Sequence, residues 1–305
     1  MHHTFQVLGR VQVIGAYGDV VPVGGPKQRT LLLALLLHLN RPVGLDWLTD
    51  AVWEEEAPAS ARANLRSYVN GLRRALSGFD DVEIVGRGRS YELLVTSERL
   101  DLTRFEKVAQ DGRAALLRGD ASTAAARLGE AIGLWRGPAG QITGVGTCLA
   151  ARLDALRERY MVAVEDHAEA VLALGPCADT VFRLRVLLGE EPFRERSWGL
   201  LMRALYACGD TAGALRAYAH ARERLAGELG IEPGEELRSI HRAILNRDPA
   251  IGSATSCELS GSRPSPPLRG ISSALPVSGA VRSHSRHVAC PPLSAGLWTA
   301  GGGGL

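Results

Sequence analysis

Long apolar runs are missing from this chain. The strongest, Leu31 to Leu37, spans seven residues, against the roughly 18 that a membrane-spanning helix needs. Cysteine is sparse and unorganised. Cys148, Cys177, Cys208, Cys257 and Cys290 are widely scattered with no CxxC pair, which excludes a disulfide framework and suits reduced thiols in a cytosol. The opening MHHTFQVLGR lacks the charged-then-apolar layout of a signal peptide, so a cytoplasmic chain with no membrane contact is expected. Surplus charge is missing too: the formal net charge is +2, and residues 1–100 carry eleven Lys/Arg against eleven Asp/Glu. That balance counts against a non-specific, charge-driven binder and leaves local clustering as the electrostatic argument for any polyanion site.

Catalytic signatures are equally scarce. Gly144-Val145-Gly146-Thr147 has no lysine for a phosphate loop, and Gly86-x-Gly88 has no third glycine for a dinucleotide fingerprint. His38, His167, His220 and His241 show no metal-ligand spacing to one another or to cysteine. No nucleophile elbow occurs. The expectation is a non-enzyme with no cofactor and no metal.

One segment stands out by what it contains. Ser60 to Ser77 places Leu65, Val69, Leu72 and Leu76 at helical spacing, a stripe able to pack on a core. Arg62, Arg66, Asn70 and Arg73 fall together roughly 100° around the axis from that stripe, with Arg74 just beyond. No acidic residue interrupts the segment. Such a helix is either a polyanion reader or a solvated charged face.

Its neighbours favour DNA. Residues 5–23 read as short strands with a turn at Tyr17-Gly18-Asp19. Gly24-Gly25-Pro26 then opens a helix over about 27–39, almost wholly apolar after its first turn and ended by Asn40-Arg41-Pro42. A second helix over about 46–53 offers Leu48, Val52 and Trp53 to the same core. After the arginine helix, Val82–Val85 and Tyr91–Val95 form a hairpin pattern with Arg87 and Arg89 at its tip. Residues 1–97 therefore read as a winged helix-turn-helix with an N-terminal sheet. Trp47, Trp53 and Tyr68 sit on or beside apolar stripes and read as core, not as base-stacking platforms.

Beyond about residue 98 the pattern is helical, and it repeats. Gly119-Asp120 is followed by Ala124, Leu128 and Ala131; Gly209-Asp210 is followed at identical spacings by Ala214, Tyr218 and Ala221. A weaker copy starts at Gly175-Pro176, and Gly175 to Gly209 is 34 residues, the tetratricopeptide period. Residues 98–248 are expected to form an α-solenoid of about three helical pairs, with Trp135 and Trp198 as packing anchors. The run Glu190 to Arg196 joins two helices, either as a partner surface or as a solvated connection. Residues 249–305 are rich in Ser, Pro, Gly and Ala with a single acidic residue, Glu258, and read as disordered. The fold class is mainly α with a small β component.

Several motifs point to one family. GGPKQRTLLLALLLHLNRPV, LTDAVW, the Pro-x-Ser-Ala-Arg-x-x-Leu-x-x-Tyr-Val-x-x-Leu-Arg-Arg run at 58–74, and ELGIEPGEELRSIHRAILNRDP at 228–249 closely resemble the Streptomyces antibiotic regulatory proteins. The resemblance covers about residues 5–249; the tail has no counterpart. It implies an OmpR-type winged helix joined to a tetratricopeptide-like bacterial transcriptional activation domain. It further implies an activator that binds promoter direct repeats in a secondary-metabolite gene cluster, as a homodimer or paired subunits, and helps RNA polymerase holoenzyme engage. Three departures are visible: Gly71 where the family often has a basic residue, Ser90-Tyr91 where the wing usually runs Gly-Tyr, and a glycine-rich stretch after Ala139.

The candidate DNA contacts are Arg62, Asn64, Arg66, Ser67, Asn70, Arg73 and Arg74 on the helix. Arginine grips guanine O6 and N7, and asparagine adenine N6 and N7. Arg66 and Asn70, at mid-face, are the expected base readers; Arg62, Arg73 and Arg74 lean to phosphate. Arg87 and Arg89 suit a minor groove or a solvent-exposed turn. Lys27 and Arg29 open the first long helix, whose N-terminal dipole favours phosphate, or are ordinary surface charge. A protein-interaction adaptor with weakened DNA binding is the competing reading, motivated by Gly71 and the altered wing.

Overall fold

The computed structural model describes residues 3–142, 144–175, 178–248 and 251. The reading of 249–305 as disordered falls outside the described residues, Ile251 excepted. Among the described residues, no helix is long and apolar enough to cross a membrane.

The chain opens with three short antiparallel strands, β1 (Thr4–Gln6), β2 (Gln12–Ile14) and β3 (Val20–Val21), ordered β1-β2-β3. Pro26 sits at the first position of α1 (Pro26–Leu36), where a missing N–H costs nothing. Every residue from Thr30 to Leu36 is buried. The helix stops three residues before the predicted Leu39, because Leu37 to Asn40 fold as a turn in which Asn40 adopts φ +57°. Asn40 is fixed there by its side chain, which donates to Val95 O and accepts from Val95 N, both at 3.0 Å.

β4 (Val43–Gly44) leads into α2 (Leu45–Val52), and α3 spans Ala61–Leu76. The predicted stripe is the buried one: Leu65, Val69 and Leu72 are fully covered and Leu76 nearly so. β5 (Glu83–Arg87) and β6 (Ser90–Leu94) form the hairpin in a second sheet, ordered β4-β6-β5. Arg87 pairs with Ser90 across a two-residue turn, Gly88-Arg89.

The helical part comprises α4 (Asp101–Leu117), α5 (Ala121–Gly133), α6 (Thr147–Leu174), α7 (Ala178–Glu190), α8 (Glu195–Ala207), α9 (Thr211–Arg224) and α10 (Glu235–Leu245). The repeat seen in sequence is a repeated turn. Gly119 and Gly209 both adopt left-handed φ, at +78° and +82°. The aspartates that follow cap α5 and α9 by accepting from Thr123 N and Gly213 N. Ala124, Leu128, Ala131, Ala214 and Ala221 are fully buried where paired helices meet, as small residues at a close crossing should be.

One buried cluster runs from Phe5 in β1 through α1, α2, α3 and β6 into α4, α5 and α6, and a second joins the end of α6 to α7–α10. The first half therefore packs on the second without a break at residue 97. Asp101, at the start of α4, accepts from Val7 N at 2.9 Å and Leu8 N at 3.2 Å and pairs with Arg136 at 2.5 Å. The glycine-rich stretch after Ala139 completes this junction: Gly146 N donates to Ala51 O at 3.1 Å. A Cβ at Gly146 would lie 1.5 Å from Asp50 O, so only glycine permits the approach.

Candidate nucleic-acid interface

α3 is held by its leucines against α1 and displays the opposite face. Arg62, Arg66, Ser67, Asn70, Arg73 and Arg74 are exposed, and Asn64 is half-buried with its amide donating to Ser60 Oγ at 3.2 Å. These side chains share a helix but not a situation, because the fold gives several of them protein partners.

Arg73 is a clasp. Its Nε and a terminal nitrogen both donate to Ile84 O in β5, at 2.9 and 2.7 Å, while its other terminal nitrogen donates to Asn70 Oδ1 at 3.3 Å. The hairpin is thereby tied to α3, and Asn70 is oriented by Arg73. Asp46, in the first turn of α2, receives Arg62 at 3.1 Å and Arg89 at 3.2 Å, one on each carboxylate oxygen. Arg87 meets the nearly buried Glu92 at 2.8 Å. Among the described residues, the side chains of Arg66 and Arg74 alone of the arginines on α3 and the hairpin tip have no such partner.

Lys27 and Arg29 are not gathered onto this face. The Lys27 amine points inward, donating to Val52 O at 2.6 Å and Gly144 O at 3.2 Å, with the Trp53 ring 6.0 Å away. It serves the α1–α2–α6 junction. Arg29 is half-buried and lines a cleft with Arg10, Val11 and Gly140.

Gly71 also faces inward. A Cβ there would lie 2.1 Å from Gln28 Nε2. Gln28 in turn accepts from Gly25 N at 3.2 Å, closing the N-terminus of α1. The glycine lets α3 sit tightly on that turn. The tryptophans behave as packing residues: Trp47 meets His38 edge-on at 4.5 Å, Trp53 stacks with Tyr68 at 6.4 Å, and Trp135 lies between Phe105 and Tyr160. Trp198 is 9% exposed, with its indole N–H donated to Pro192 O at 2.9 Å.

Sequence reasoning missed two features. The first is Asp46, whose role depends on bringing α2, α3 and the hairpin tip together. The second is an ion-pair knot where Glu190 to Arg196 joins α7 to α8. Arg194 donates to Glu165 at 2.8 and 3.0 Å and to Glu158 at 2.7 and 2.8 Å; Arg196 reaches Asp166 and Glu169, both at 2.7 Å. Ser197 Oγ donates to Glu165 at 2.5 Å. Glu165 and Asp166 are only 2% and 3% exposed, so Arg194 and Arg196 act as a structural clamp and not as part of a solvated connection. The one sequence signal was reciprocal: acids at 165, 166 and 169 in the mostly apolar second half of α6, opposite Arg-Glu-Arg at 194–196.

Burial holds the His38 imidazole below its usual range despite the opposing hydrogen bond to Ala34 O, and Arg152 and Arg41 push the same way as burial. Burial and the neighbouring Asp50 carboxylate push the Cys148 thiol up to about 12, which keeps it protonated and inert. Among the described residues, no group of three or more His, Cys, Asp or Glu is placed to hold a metal ion.

This architecture has close counterparts. The family model for the bacterial transcriptional activator domain matches residues 100–245. The transcriptional regulatory protein EmbR of Mycobacterium tuberculosis is 36% identical over 248 residues, which is 80% of this chain and 64% of EmbR; the chain thus spans under two thirds of that relative. The regulatory protein DnrI of Streptomyces peucetius is 31% identical over 241 residues, covering 76% of this chain and 88% of DnrI. The solved structure of M. tuberculosis EmbR in complex with a low-affinity phosphopeptide superposes with a TM-score of 0.75 at 35% identity, over 83% of this chain and 68% of that one. A winged helix whose third helix displays an arginine face, continued by a repeat of this kind and matched along most of its length by these regulators, places the chain in the Streptomyces antibiotic regulatory protein family of transcriptional regulators.

Proposed function

We propose that this chain is a sequence-specific DNA-binding transcriptional activator, in which residues 1–97 engage promoter DNA and residues 98–248 pair subunits and contact RNA polymerase. The observation that carries the reading is the state of Arg66 and Arg74: exposed on α3, away from its buried stripe, with no side-chain partner among the described residues. A guanidinium left unmatched at the centre of such a face is free to grip a guanine edge, and one near the helix end a phosphate. Arg66 with Asn70 reads bases; Arg74 holds backbone; Arg89 and Arg87 at the hairpin tip meet the flanking groove. Arg73 contributes by fixing Asn70 and the hairpin, not by touching phosphate itself.

The family name makes secondary-metabolite promoters the first place to look. Gly71, the residue that motivates an adaptor reading, faces Gln28 rather than the arginine face, which leaves the exposed face complete. The test is a footprint of the full chain on its own neighbouring intergenic DNA, in excess competitor. Protection of evenly spaced direct repeats is expected. If about four phosphates are neutralised per subunit, log K falls against log salt with a slope near −3.6. Absence of selective protection by well-folded protein would favour the adaptor reading instead.

A further inference from the structure

The arginines of α3 and the hairpin tip are not simply a positive surface, because an acid sits among them. Asp46 is exposed, with 76% of its side chain accessible, and each of its oxygens holds a guanidinium: Arg62 from the first turn of α3 and Arg89 from the tip of the hairpin. The backbone reinforces the placement, since Leu45 N donates to Arg89 O at 2.9 Å. Three elements separated by 16 and 43 residues in sequence therefore meet at one carboxylate. Asp46 stands in the first turn of α2, where the helix dipole favours an anion.

An exposed ion pair contributes little to folding. Its consequence lies in binding. Two guanidinium groups sharing one carboxylate present one net positive charge instead of two. Asp46 takes one N–H from each guanidinium, so a phosphate that recruits either arginine does so against an adjacent carboxylate, and drawing the side chain away breaks that pair. Binding through these two arginines becomes an exchange of partners rather than a gain. Contacts made by Arg66 and Asn70 to a matching sequence supply what that exchange requires; a random sequence does not.

We infer that Asp46 is a specificity-setting counter-charge that holds the hairpin tip beside the start of α3 and suppresses non-specific DNA binding by occupying Arg62 and Arg89. This rests on the DNA-binding reading above for its second half, while its first half, the placement of the hairpin tip, stands on the geometry alone.

The experiment is Asp46→Asn in the full chain, with Asp111→Asn as a control that removes the same charge from an exposed site on α4. Two readouts separate the two halves. Hydrogen–deuterium exchange of the 86–90 amides reports the hairpin tip without DNA and is expected to accelerate in D46N but not in D111N. Binding to a short duplex of random sequence reports the suppression. Each arginine released to a phosphate in D46N should steepen the salt slope by about 0.9, which tightens affinity about 5-fold near physiological salt and about 30-fold for the two together. Random-duplex affinity in D46N equal to that of D111N, with unchanged exchange, would overturn the inference. Faster tip exchange with no DNA binding by any form would overturn the DNA-binding reading and leave Asp46 as the residue that positions the hairpin. Should the D46N substitution itself disturb α2, Asp46→Glu keeps the charge, and D46E is expected to hold random-duplex affinity at the wild-type level.

Discussion

Two arginine-rich regions of this molecule look alike in composition and differ in what answers them. In the helical half, Arg194 and Arg196 close onto Glu165 and Asp166, acids that α6 buries almost completely. In the winged-helix half, α3 carries five arginine or asparagine side chains on its outer face and no acid of its own. Its arginines find carboxylate or carbonyl partners only where a neighbouring element supplies one, and among the described residues the Arg66 and Arg74 side chains have none. A charge run acquires meaning from its acceptors: a buried carboxylate turns arginine into a clamp, and the lack of one leaves it for a ligand.

The sharpest way to break the comparison is to remove the acid that defines the clamp. Glu165→Ala removes the buried acceptor of Arg194 and Ser197, leaving Arg194 only the exposed Glu158, and losing one partner of a buried pair costs about 3–5 kcal/mol. Denaturant unfolding should show that loss; a loss under about 1 kcal/mol would put the clamp on the same footing as surface charge. Next in size is Gly146→Ala, whose Cβ collides with backbone at Asp50 and should destabilise by about 1–3 kcal/mol, read by the same unfolding curves. On the other side of the comparison, Arg74→Ala should leave stability unchanged, weaken every DNA sequence alike and flatten the salt slope by about 0.9, as measured by salt-titrated binding.

A smaller effect is pH-dependent. His38 bridges the two halves, with Nδ1 2.9 Å from Ala34 O and Nε2 2.9 Å from the Arg152 guanidinium, whose N–H it accepts in the neutral form. Because its folded pKa lies below the ordinary 6.5, the unfolded chain binds the proton more readily. Stability contributed by neutral His38 is present above about pH 6.5 and is lost as the pH falls below it. His167 and His241 are lowered in the same direction by burial, so His38→Gln should reduce, not abolish, the acid-side loss seen in unfolding midpoints between pH 7 and 5. The smallest expected change is Gly71→Ala. The gain in helix propensity, about 1 kcal/mol, is set against displacing the flexible end of Gln28, and a net change within about 1 kcal/mol is expected from thermal unfolding.

What was legible in sequence was local. The Leu65-Val69-Leu72-Leu76 stripe, the Pro26 start of α1, the hairpin and the Gly-Asp turns at 119–120 and 209–210 depend on spacing within a few residues, which a helix or hairpin imposes directly. The fate of each charged side chain was not local. Lys27 bonds to a carbonyl 117 residues away, Arg62 and Arg89 to one carboxylate 16 and 43 residues away, and Arg194 to an acid 29 residues away. Periodicity places such groups on a face; only tertiary packing decides which of them is already satisfied. For the same reason spacing offers Arg73 as a phosphate contact but gives no sign that it clasps β5 to α3 through Ile84 O.

The measurement that most directly tests the central claim compares Arg66→Ala with wild type on a protected direct repeat and on single-base variants of it. Arg66 has no acceptor among the described residues, so its removal should leave the unfolding midpoint in place, cost about 1–3 kcal/mol on the repeat, and relax discrimination at one base position. Equal losses on every sequence, or wild-type binding throughout, would contradict the claim that the unmatched arginine of α3 reads DNA.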